Sequence, residues 1–271
     1  MSKETKLEKT QSTELSVSNN ILDEMGGGNG MDLTPDQVQI PRIRLLQANS
    51  GEAKKSDANY VDGAQEGDFL DTVDRSVFNG SKGITISIFG YRFIYIEWED
   101  KGDGSGSLLE NHGEDGSVLS ECTEEKGRYY RTHPSGENSI IIPTFEYYIT
   151  IFNEDGSTFD AAMSLSKTSA KVAKKLNTMI NRTMAKNSQG NMVPAPIFWK
   201  QFKMTSKPEA NDQNAWMVFN FEPLGDVIDL DNGQFILGDL MNKHKSFKKM
   251  NFVTNEEEAD RSSQNPNSEK F

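Results

Sequence analysis

The sequence predicts a mostly β domain: a small antiparallel barrel of five strands, with one principal amphipathic helix and long loop insertions. Three observations carry that expectation. The run Ile84–Trp98, ITISIFGYRFIYIEW, is dense in aromatic and β-branched residues that suit a pleated, half-buried surface. Further runs of the same character, at 143–165, 196–204 and 215–223, are bounded by turn-forming Gly, Pro, Asn and Asp. One clear segment, 166–184, shows apolar residues at helical spacing.

Residues 1–36 are polar, carry GGGNG at 26–30 and lack sustained periodicity, so they are expected to form a disordered arm. The folded domain is expected over 37–250. Extended structure starts at IPRIRLLQ (40–47), pauses in a polar loop at Ser50–Gly63 and resumes at GDFLDT (67–72). Asn79–Gly80 turns the chain into the aromatic run. There, period two places Phe89, Tyr91, Phe93 and Tyr95 on one face, and Gly90 predicts a bulge, a bend or a close backbone approach. Such a strand suits a barrel wall that stacks bases, or the core of a β-sandwich. Lys101–Arg128, rich in Gly, Ser and acid, reads as a long excursion.

PTFEYYITIFNEDGSTFDAAMSL (143–165) reads as a strand pair turning at Glu154–Gly156, with Phe145, Tyr147, Ile149 and Ile151 on one face. In the helix, Val172, Ala173, Leu176, Met179 and Ile180 form the apolar stripe. Ser166 or Thr168 is the expected N-cap, and Asn187–Gly190 the expected end. Lys171, Lys174, Lys175 and Arg182 lie away from the stripe. In PIFWKQFKM (196–204) and AWMVFNFEP (215–223), Phe198, Phe202, Phe219 and Phe221 are expected in the core, and Trp199, Lys200, Lys203 and Trp216 at the surface.

The chain carries −12 overall, yet Ala161–Pro208 contains nine Lys and Arg and no acid, which leaves −21 over the rest. Such segregation creates a local positive field, and phosphate binding depends on the local patch. A solvated helix face normally mixes signs to gain i,i+4 pairs, whereas a phosphate-facing one avoids acid. Rings interleaved with lysines fit single-stranded nucleic acid: each base stacked on a ring contributes about 1–3 kcal/mol whatever its identity.

Other chemistries find little support. Cys122 is the only cysteine, and His112, His133 and His244 lack paired ligand spacing, so no disulfide, metal site, cofactor or catalytic residue is expected. DVIDLDNGQF (226–235) lacks the distal glutamate of a calcium loop, and its Asp231–Asn232–Gly233 reads as a tight turn. NKHKSFKK (242–249) is a second basic cluster. No apolar run is long enough for a membrane span, and the first residues lack a signal-peptide core. A soluble intracellular protein is expected. Residues 251–271 form a polar acidic tail with Glu256, Glu257, Glu258 and Asp260, closing on Phe271, which suits a mobile partner-binding peptide.

Together, the basic helix between aromatic strands, the acidic loop and the acidic tail ending in Phe resemble bacteriophage single-stranded DNA-binding proteins of OB-fold type. IPRIRLLQANS, GDFLDT, YRFIYIEWED, the lysine helix and FWKQFKMTSKPEANDQNAWMVFNFEPLG carry the resemblance, over roughly residues 40–240. It implies an OB-like barrel that coats single-stranded DNA during phage replication or recombination, in the cytoplasm of the infected bacterial host. Tyr91, Tyr95, Lys171, Lys174, Lys175, Trp199 and Trp216 would line the DNA groove, joined on charge and position by Arg92, Arg182, Lys200 and Lys203. Phe271 and the acids before it would recruit a DNA polymerase, helicase or recombination protein. The last residues, NPNSEKF, depart from an unbroken acidic run. Self-association into a homodimer is open. Two alternatives are a virion-structural or scaffolding protein, and a nuclease using Asp226, Asp229, Asp231 and Asp239 around magnesium.

Overall fold

A computed structural model describes residues 39–102, 106–212 and 214–249. The expected N-terminal arm and the acidic tail, with Glu256, Glu257, Glu258, Asp260 and Phe271, lie outside the described residues.

Two long strands form the spine. The aromatic run is β4 (Ile84–Glu99), and it pairs antiparallel over most of its length with β8 (Asn138–Phe152). At one end the spine is flanked by β12 (Lys200–Ala210), β13 (Ala215–Asp226) and β9 (Thr158–Ser166), giving the order β13–β12–β4–β8–β9. All five overlap runs expected to form strands. At the other end the same two strands carry β5 (Leu108–Asn111), β6 (Thr123–Glu125) and β7 (Arg128–Thr132), so the sheet has eight strands among the described residues. The expected excursion at 101–128 is therefore largely structured. Its strands are short and polar because they add to sheet edges and bury little, so periodicity did not mark them.

The sheet is a curled, antiparallel half-barrel, and its open side is filled from two directions. The first is a small sheet of β1 (Ile43–Leu45), β2 (Phe69–Asp71) and β3 (Val77–Phe78). Its chain bridges the two flanks: Ala162 on β9 donates to Pro41 O at 2.7 Å, and the Gln47 side chain bonds Met217 on β13. The second is α1 (Ala170–Asn181), whose Ala173 and Leu176 are fully buried. Removing Leu176 from water contributes about 1.5–3 kcal/mol. The core within includes Phe69 stacked on Phe219 at 5.5 Å, with Tyr147, Phe202 and Met204. Phe198, Phe202, Phe219 and Phe221 are all buried, as expected.

Gly90 is both a bulge and a close approach. Pairing of β4 with β8 shifts between Ile88 and Gly90, so Ile88 faces Ile149 but Tyr91 faces Tyr147. The extra residue resets the two-residue period. Ile86, Ile88, Tyr91 and Phe93 thus meet one core, while Phe89 turns to the other side. This corrects the expectation that Phe89 shares a face with Tyr91, Phe93 and Tyr95. On that other side Phe89 and Tyr148 meet α2 (Gly233–Phe247) through Phe247 and Leu240. This second helix was not expected. Asp231–Asn232–Gly233, expected as a tight turn, is where it starts, with Asn232 as the N-cap residue. A Cβ at residue 90 would lie 2.7 Å from the Phe247 ring. Gly90→Ala is expected to destabilise the protein by about 1–3 kcal/mol in urea unfolding, by displacing Phe247.

Candidate nucleic-acid interface

The middle of the acid-free segment folds into a helix followed by a hairpin. A 3-10 turn at Lys167–Ser169 leads into α1, and the N-cap position is Ser169 rather than Ser166 or Thr168, because that turn intervenes. The helix ends at Asn181, earlier than expected. Asn187–Gly190 is instead the turn of a hairpin, β10 (Met184–Lys186) with β11 (Met192–Pro194). Gly190 takes the positive φ of 80° that this turn requires. Tyr147 fixes the helix from below, its Oη bonding Asn177 Oδ1 at 2.8 Å.

Lys171, Lys174, Lys175 and Arg182 all point to solvent. Lys171 lies in the first turn of a helix that has no acid there. The helix dipole favours acids in that turn, and a cation there costs about 0.3–1 kcal/mol. Lys171 is compensated by an ion pair with Glu209. Among the described residues no acid pairs with Lys174, Lys175 or Arg182, and Lys186 continues the charge onto the hairpin.

The tryptophans do not share a site. Trp216 is half-buried, lies opposite Glu209 in the strand register, and so sits at the Lys171 end of α1. Trp199 immediately precedes the far end of β12, and Glu209 lies nine residue steps along the strand from Lys200. At about 3.3 Å per residue the two places are roughly 30 Å apart. Trp199 Nε1 donates to Asp226 Oδ2 at 2.9 Å, and Lys200 Nζ meets Asp226 Oδ1 at 2.7 Å. Burial would raise Asp226, yet the bonds from Lys200 and Trp199 hold it below its ordinary value. Trp199 and Lys200 are thus committed to closing the β12–β13 end, and the single trough with both tryptophans as its floor is not formed.

Other expected contacts divide likewise. Lys203 is half-buried opposite Glu222. Tyr91 lies 5.2 Å from Tyr147 beside α1, and burial pushes its hydroxyl up. Tyr95 packs edge-on against Phe93 and meets the loop at Gly116. Arg92 is a structural cation: its Nε lies 2.5 Å from Glu146 Oε2, while Arg42 holds Oε1. Glu146 is 1% exposed. Burial opposes its charge, and the two guanidiniums overcome that and lower it.

A second network went unseen in the sequence. Glu97, fully buried on β4, accepts from Arg131 Nη2 at 2.6 Å, from Ser139 and from Arg131 Nε, with His112 Nε2 at 2.8 Å. Burial alone would raise it, but these bonds hold it down at about 2. Glu110 adds contacts to His112 and His133 at 3.7 and 3.6 Å. Glu97, Glu110 and His133 have ligand atoms within 4.8 Å of one another. The Arg131 guanidinium already supplies the positive charge, 2.6 Å from Glu97 and 4.0 Å from Glu110, so the group is an ion-pair network rather than a metal cradle. The aspartates weighed for magnesium separate by role: Asp226 holds Trp199 and Lys200, and Asp239 pairs with Lys243 at 2.8 Å. Glu97 betrays itself only as an acid inside an apolar strand. Its partners lie 15 to 42 residues away in sequence.

No helix among the described residues is long and apolar enough to cross a membrane. No curated protein and no solved structure matches the chain. A family model described as Pam3 phage gp34-like protein matches residues 9–251, which takes in every described element. The chain belongs to the Pam3 phage gp34-like protein family.

Proposed function

We propose that this phage protein binds single-stranded DNA without sequence preference, along the outer face of α1 and the β10–β11 hairpin. The observation that carries the reading is the set Lys174, Lys175 and Arg182: exposed, and without an acidic partner among the described residues. Each would neutralise a phosphate and release a counterion. Trp216, at the Lys171 end, is the ring placed to stack a base. Arg92, Trp199 and Lys200 serve the fold, and Lys203 on β12 lies opposite Glu222. Chemistry on the DNA is not part of the proposal; the protein would coat the strand during phage replication or recombination. The acidic tail would recruit a replication or recombination enzyme in the host cytoplasm.

Anisotropy titrations of a labelled oligothymidine over a range of salt test this. Wild-type protein is expected to prefer the single strand over duplex, with log Kobs falling linearly with log salt. The variant combining Lys174→Ala, Lys175→Ala and Arg182→Ala loses three phosphate contacts, so its slope is expected to shrink by about 2, at about 0.7 per contact on a single strand. An unchanged slope, or equal affinity for duplex, would overturn the reading.

A further inference from the structure

The β10–β11 hairpin has an inner and an outer face, and the fold uses the inner one. Ala185 is buried, and Val193 opposite it is half-buried. Period two puts Met184 and Lys186 on the outer face, opposite Pro194 and Met192. All four are exposed, Met184 at 42% and Met192 at 55%. Met184 and Met192 are diagonal neighbours there, about 7 Å apart, so both can meet one ligand. The face is held in shape before any ligand arrives. Asn187 Oδ1 accepts from Gln189 N and Asn191 N at 3.0 Å, which fixes the tip. Ala195 N donates to Thr183 O at 3.0 Å, which ties the base.

Charge identifies the occupant. Lys186 shares the face with the two methionines, Arg182 precedes the hairpin, and no acid occurs between Ala161 and Pro208. A second copy of the chain, docked by a two-fold axis, would set cation against cation. The face calls for a ligand that is anionic and also presents flat apolar surface. A single nucleic-acid strand offers both, since its unstacked bases are open to side chains. A duplex offers this face its phosphates alone, because its bases lie inside the stack. Methionine suits the contact: its flexible, polarizable thioether lies against a ring of any outline, so no particular base is required.

We infer that Met184 and Met192 take the bases of the bound strand while Lys186 and the cations of α1 take its phosphates, so that the hairpin distinguishes a single strand from a duplex. This rests on the DNA-binding reading above. It adds what the cations do not supply, since lysine and arginine neutralise the phosphates of either form.

Two measurements on the full chain test it. In the first, hydrogen peroxide oxidises exposed methionines with and without saturating oligothymidine, and peptide mass spectrometry reads each residue. Met184 and Met192 are expected to react several-fold more slowly in the complex, while Met241, 41% exposed on α2, keeps its rate. Unchanged rates at Met184 and Met192 with the strand bound overturn the inference. In the second, the variant combining Met184→Ser and Met192→Ser is titrated with oligothymidine and with an abasic strand of equal length. Its affinity for oligothymidine is expected to fall about tenfold, with the salt slope, the abasic affinity and the melting temperature unchanged. Met184→Leu with Met192→Leu is expected to keep most of the affinity. A serine variant that binds oligothymidine as the wild type does overturns the inference and leaves the phosphate contacts standing, because those are read from the salt slope. A wild type without a salt slope defeats both readings. Phosphatidylserine vesicles that bind the wild type but not the serine variant, with oligothymidine affinity unmoved, assign the face to a membrane and overturn the inference.

Discussion

Replacing Glu146 by leucine is expected to lower the unfolding free energy by about 3–5 kcal/mol, the cost of stranding buried charges whose partner has gone. Two guanidiniums converge on this carboxylate, Arg42 from the chain leading into β1 and Arg92 from β4, and the site is closed from above by Tyr148, whose Oη bonds Glu146 Oε2 at 3.0 Å. The effect is asymmetric. Arg92→Met leaves Glu146 with Arg42 and is expected to cost less, and adding Arg92→Met to Glu146→Leu is expected to recover part of the loss. Urea unfolding of the three variants measures this cycle. If Glu146→Leu proves nearly neutral, the pair does not stabilise the junction of the small sheet with the spine. The same experiment separates fold from function: Arg92→Met is expected to leave the salt slope of DNA binding unchanged, because Arg92 faces a carboxylate and not solvent.

Acidification is expected to remove stability on the order of 3 kcal/mol through Glu97 alone, since its carboxyl stands at about 2 in the folded protein against an ordinary value of 4.5. The sign follows from proton uptake. The folded state holds this group ionised more strongly than the unfolded chain does, so the unfolded state binds the proton first as pH falls. The contribution is complete above about pH 4.5 and is lost progressively down to about pH 2. Glu146, also lowered, adds to the loss with the same sign. Arg131→Met removes the chief partner, so its unfolding free energy is expected to be lower at neutral pH and to converge on the wild-type curve near pH 2. Denaturant midpoints measured across that range check it; parallel curves for the two proteins would defeat the assignment.

What could be read in the sequence follows from how each feature is encoded. The spine strands, the four core phenylalanines and the stripe of α1 are repeating patterns of apolar residues, so periodicity exposed them. The bulge at Gly90 was visible as a residue type but not as a change of face, because a period-two count has no means of knowing where the count restarts. Strands β5, β6 and β7 are short and polar, and α2 begins at an Asp-Asn-Gly sequence that serves turns and helix starts alike. The candidate interface was half visible. Charge segregation marked α1, since a run without acid is a property of consecutive residues. The fates of Arg92, Lys200 and Trp199 were hidden, because each is decided by a carboxylate far away in sequence, Glu146 or Asp226.

The Gln47 carboxamide has a consequence beyond its own two bonds. It donates to Met217 O and accepts from Met217 N, each at 2.9 Å, which is how a neighbouring strand would greet β13. Because β13 is the outermost member of its sheet, an incoming peptide would have to displace this side chain before it could add to the ladder there. Further along the same border Pro223 offers no N–H at all. Fibril-like growth from this margin is therefore blocked at two points, one by a side chain that imitates a peptide bond and one by a ring that lacks a hydrogen.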